Sequence, residues 1–82
     1  MASPLDWKSF RELDEAWGAR KGTAFLAFKR ALPSLREGID FVYLSHDQQH
    51  DEIARLRAAE RIYASSVNVV LIADATARTL RD

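Results

Sequence analysis

The chain has 82 residues, 48% of them apolar, with eight aromatics, twelve Lys/Arg against twelve Asp/Glu and no cysteine. That length fits one domain, residues 1–82, with a core small enough for self-association to enlarge it. The lack of cysteine excludes disulfides, thiolate metal sites and thiol catalysis, and no stretch approaches the roughly 18 apolar residues of a membrane span.

The first helix is predicted to start at Ser9, where Ser9 and Glu12 form an S-x-x-E capping box. A start at Ser3, with Pro4 at the first helical position, is the alternative. Phe10, Leu13, Ala16 and Trp17 recur at helical spacing, and Gly18 supplies a left-handed end. After a short turn, Thr23 is expected to cap a second helix whose apolar face is Phe25, Phe28 and Leu32 and which Pro33 stops. Residues 39–44 are rich in β-formers and are predicted to form a strand with Ile39, Phe41 and Tyr43 on one face. Ser45 or Asp47 then caps a third helix with the stripe Ile53, Leu56 and Ile62 or Tyr63. Its outer face suits the ion pairs Asp51/Arg55 and Glu52/Arg55. The β-branched run Val67–Ile72 predicts a second strand within 61–72 and a short helix from Asp74; a helix capped by Ser65 or Ser66 is the other reading. The two strands can pair parallel across the helix or antiparallel. The fold class expected is therefore α+β: a helical hairpin, then strand–helix–strand, then a C-terminal helix.

The zero net charge hides segregation. Residues 16–36 contain Arg20, Lys21, Lys29, Arg30 and Arg36 and no acid. Residues 37–52 contain five acids and no Lys or Arg, and five arginines against three acids follow. Such blocks are either solvated helix faces or, for the basic one, a surface for a polyanion and, for the acidic one, a surface for a partner. Met1–Asp6 has no basic run leading into an apolar run, so a cytoplasmic protein without a signal peptide is expected.

No P-loop, G-x-G-x-x-G, G-x-S-x-G or H-E-x-x-H motif is present. His46 and His50 lie four apart, which on a helix puts both imidazoles on one face, but a third and fourth metal ligand are not evident. Neither a catalytic residue nor a cofactor is expected. A small metal protein or enzyme using His46 and His50 is the weakest of the alternatives.

Residues 9–30, a capped short helix, a glycine-opened turn and a Thr-headed second helix flanked by cations, resemble a bacterial helix-turn-helix. The following 35–44 looks like the first strand of small winged or phage antirepressor-type domains. In that pattern a small residue, often alanine, stands four before the turn glycine; here it is Asp14. The resemblance implies a non-enzymatic transcription regulator that binds double-stranded DNA. Arg20, Lys21 and Thr23 would meet phosphates or base edges, Lys29 and Arg30 would meet phosphates, and dimerisation would double the basic patch. The competing reading is a protein-interaction module that docks a partner or a second copy and binds no nucleic acid.

Overall fold

The structure, a computed structural model, describes residues 6–81. The order is β1 (Lys8–Ser9), α1 (Phe10–Ala16), α2 (Thr23–Ala31), β2 (Phe41–Leu44), α3 (His50–Ala58), β3 (Val69–Ile72) and α4 (Asp74–Arg81). It is the expected α+β arrangement, with one element added: the two-residue strand β1, too short to leave a pattern. Ser3 and Pro4 lie outside the described residues. Because Lys8–Ser9 is extended, α1 begins at Phe10.

The predicted capping box is in place. Glu12 N–H donates to Ser9 Oγ at 3.1 Å, and Ser9 N–H donates to Glu12 Oε1 at 3.0 Å. A cap of this kind is worth ~1 kcal/mol. The Ser9 hydroxyl also donates to the Arg61 carbonyl, and the Arg61 guanidinium binds Glu12 Oε1 at 3.0 Å, so the helix start is tied to a distant loop. Burial opposes ionisation of Glu12. The Arg61 hydrogen bond and the Ser9 N–H outweigh it and hold the carboxyl below its ordinary range. Gly18, at φ 63°, ends α1 in the left-handed region that glycine enters at no steric cost.

Both strand pairings are antiparallel, in the order β1-β3-β2. Lys8 faces Ile72 across one side of β3, and Phe41 faces Ile72 across the other. The sheet separates two apolar layers. Leu13, Ala24, Phe28, Phe41, Ile72 and Ala77 pack together beneath α1, α2 and α4. Leu44, Ile53, Leu56, Ile62, Val69 and Leu71 pack on the opposite face with α3. Being central and covered on both faces, β3 is apolar at every position. This is why its run reads as strand or helix in the sequence. Here the strand reading holds for Val69–Ile72, and α4 starts at Asp74.

Four expectations change. Helix α3 starts at His50 with Gln49 at its cap, not at Ser45 or Asp47. Ser45 instead closes the preceding turn, where its carbonyl accepts from Gln49 N–H at 2.7 Å. Helix α3 ends at Ala58, so the buried Ile62 comes from the following loop rather than from the helix stripe. No ion pair joins Asp51 or Glu52 to Arg55 among the described residues; Asp51 meets His50 at 3.2 Å. On β2, Phe41 is buried but Tyr43 is 47% exposed, and Ile39, which precedes the strand, is 63% exposed.

Candidate nucleic-acid interface

Helix α2 owes its position to Asp14. That side chain is 1% exposed. It projects from α1 across the turn, and its carboxylate accepts from Gly22 N–H at 3.0 Å and from Ala24 N–H at 2.7 Å. Both donors lie at the start of α2, where backbone N–H groups lack intrahelical partners. The cap expected from Thr23 is thus provided by another helix. Gly22, at φ 96°, is the N-cap residue with no side chain to offer, and Thr23 is the first helical residue. Asp14, four residues before Gly18, thus holds the start of the second helix.

A third donor completes the shell. Tyr63 Oη donates to Asp14 Oδ2 at 2.6 Å. The Tyr63 hydroxyl is pushed up to about 12, first by its removal from water, then by this hydrogen bond and the negative charges of Asp14 and Glu15, with Arg11 opposing. The value lies above the ordinary 10, so the neutral hydroxyl's contribution to stability is complete below about pH 10 and is lost as pH rises toward 12.

The inner face of α2 is Ala24 and Phe28, 0% and 6% exposed. This differs from the expected stripe. Phe25, in the first turn, remains 45% exposed, and Leu32, 41% exposed, lies past the helix end at Ala31 in a 3-10 turn, Leu32–Ser34, that carries Pro33. Phe25 still leans edge-on against Phe10, with ring centroids 5.6 Å apart.

All five residues singled out in the sequence are exposed. Arg20 and Lys21 flank the first turn of α2. Thr23 opens the helix, and Lys29 and Arg30 lie in its last turn. Thr23, Leu26 and Arg30 share one outward strip at i, i+3 and i+7, with Lys29 beside it. Lys29 Nζ sits 5.5 Å from the Phe25 ring centroid, and Lys21 Nζ sits 4.8 Å from that of Tyr63. The cations form two groups at the two ends of a nine-residue helix, about 13 Å apart along its axis. None of Arg20, Lys21, Lys29, Arg30 or Arg36 is in an ion pair among the described residues; the pairs there are Arg11–Glu15, His50–Asp51 and Arg61–Glu12.

The histidines separate. His46 lies in the turn before α3 and His50 is its first residue, so the two do not share a helix face. Among the described residues no group of three or more His, Cys, Asp or Glu side chains is placed to hold a metal. No helix there is long and apolar enough to cross a membrane.

In comparisons with known proteins, no family model, no curated protein and no solved structure matches this chain.

Proposed function

We propose that the protein binds duplex DNA through the outward face of α2, as a small regulator of helix-turn-helix type. The observation that carries this reading is the electrostatics of residues 16–36: five exposed cations, no acid in the stretch, and no ion pair to any of them among the described residues. A surface left unneutralised by its own chain favours a polyanion, and exposed Lys and Arg are the usual phosphate contacts. Helix α2 is about as long as the major groove is wide, ~12 Å, so its two cationic ends suit the two flanking backbones. Thr23 and Leu26 between them offer methyl groups of the kind that meet thymine.

Titration of the full chain against random duplex over a range of salt tests this. Micromolar binding at low salt is expected, with a slope of log affinity on log salt that falls by about two in Arg20→Ala/Lys21→Ala and again in Lys29→Ala/Arg30→Ala. Absence of binding, or binding that neither variant alters, overturns the reading.

One observation favours a protein partner instead. Phe25, Phe28, Leu32, Phe41, Tyr43 and Val70 line an apolar hollow of about 380 Å³ between α2 and β2, with Lys29 and Glu37 at its rim. A second copy seated there would bury Phe25 and Tyr43. On this reading light scattering gives a dimer that Tyr43→Glu dissociates; a strict monomer excludes self-association through this hollow.

A further inference from the structure

Lys21 belongs to the turn before α2, yet its ammonium is held by a segment more than forty residues further along. Lys21 Nζ lies 3.5 Å from Ser65 Oγ and rides over the Tyr63 ring. That ring is fixed at its far end, because the Tyr63 hydroxyl binds the same Asp14 carboxylate that caps α2. The segment is anchored independently by Arg57, whose guanidinium donates to the Ser66 carbonyl, and by Ser66 N–H, which donates to the Tyr63 carbonyl at 2.9 Å. Lys21 and Ser65 are themselves exposed. The nearby acids are occupied: Asp14 is inside its shell of donors, and Glu15 pairs with Arg11 at 2.9 Å.

We propose that Tyr63–Ser66 is the second arm of the phosphate-contacting surface, in which Lys21 and Ser65 together grip one backbone phosphate and Tyr63 is the positioning residue that aims Lys21. The proposal deepens the duplex-binding reading and rests on it. An ammonium has three donors, of which Ser65 Oγ takes one. The remaining two, with the Ser65 hydroxyl turned outward as a donor, converge on a single anionic oxygen set. Lysine and serine are standard phosphate partners, and neither reads base sequence, so the arm adds affinity without specificity. A lysine on a flexible four-carbon stem otherwise loses rotamer freedom on binding; stacking on a fixed ring removes part of that loss before DNA arrives. The arm also places the contact outside α2, so the surface extends past the helix end.

The test is the same duplex titration, with Ser65→Ala, Tyr63→Ala, Tyr63→Phe and Lys21→Ala, singly and combined with Lys21→Ala. Lys21→Ala lowers the salt slope by about one. Ser65→Ala weakens binding roughly threefold to tenfold, as loss of one hydrogen bond does, and has no further effect in the Lys21→Ala background. Tyr63→Ala lowers the slope as Lys21→Ala does, and Tyr63→Phe, which keeps the ring, recovers most of it. Ser65 is exposed, so its variant folds whatever happens at Tyr63. If Lys21→Ala weakens binding while Ser65→Ala matches the parent in affinity, or if both weaken it and the two losses simply add, the arm is overturned and duplex binding stands. If the parent chain binds no duplex at all, both readings fall.

Discussion

Replacing Asp14 by alanine is expected to lower the melting temperature by about 15 °C. The substitution removes an acceptor from three donors at once: Gly22 N–H, Ala24 N–H and Tyr63 Oη. Losing a helix N-cap alone costs ~1 kcal/mol. Ala24 is 0% exposed, so its orphaned N–H cannot turn to water, and an unsatisfied buried donor costs a further ~1–3 kcal/mol. Relief from burying a carboxylate offsets part of this. A net loss of about 3 kcal/mol is a large share of the ~4–12 kcal/mol expected for a domain of this length. At roughly 5 °C per kcal/mol in this size range, that gives the stated shift. Asp14→Asn keeps one carbonyl oxygen toward the helix and is expected to lose about half as much. Thermal unfolding followed by circular dichroism measures both, and a drop below about 4 °C for the alanine variant shows that the carboxylate does not hold α2. The same variant moves the Tyr63 hydroxyl down from about 12 toward its ordinary 10, read from phenolate absorbance during alkaline titration.

The second large effect belongs to the core. Leu71 is 0% exposed and sits on the central strand among Leu44, Ile53, Leu56, Ile62 and Val69. Leu71→Ala deletes three carbons from a site bounded by the sheet on one side and by α3 on the other. The walls cannot close on the vacancy, and a loss of ~3–4 kcal/mol is expected, near the middle of the range for such truncations. Leu26→Ala is the matched control: Leu26 is 55% exposed on α2, and its truncation is expected to stay within ~0.5 kcal/mol. Urea unfolding of the two variants side by side decides the matter. Equal midpoints would mean that β3 is not the centre of the core.

The two substitutions separate the two layers of the fold. Asp14 acts on the face carrying α1, α2 and α4, and Leu71 acts on the face carrying α3. They share no partner, so their costs are expected to add in the double variant within a few tenths of a kcal/mol. Leu71 lies on the face away from α2, so Leu71→Ala is expected to leave the proposed duplex contacts unchanged when assayed below its lowered melting point. The Asp14→Ala protein, in contrast, loses the anchor of both α2 and Tyr63, so the proposed duplex binding is expected to weaken even where the protein is folded.

Local chemistry determined a good deal by itself. Ser9 and Glu12 are three apart and cap each other without help from the rest of the chain. Gly18 ends α1 because only glycine enters the left-handed region freely, and the β-branched run before Ala73 makes a strand. The acid-free stretch 16–36 is likewise a property of the sequence, and so are its five cations. What the tertiary structure decided depends on residues far apart along the chain. Whether β3 pairs parallel or antiparallel, and that it lies between β1 and β2, follows from which strands can cover it and not from its own composition. The cap of α2 comes from Asp14 on another helix, so the local signal at Thr23 pointed one residue too far along. Phe25 looks like core by spacing, yet Ala24 and Phe28 take the inner places and Phe25 stays 45% exposed. Tyr63 and Ser65 carried no motif at all. They stand beside Lys21 because the loop after α3 folds back on α1, held by the Arg61 contacts to Glu12 and the Trp7 carbonyl. Periodicity and caps act over three or four residues, and they determined the elements of this protein. Burial and long-range hydrogen bonds act across the whole chain, and they decided which exposed charges the elements bring together.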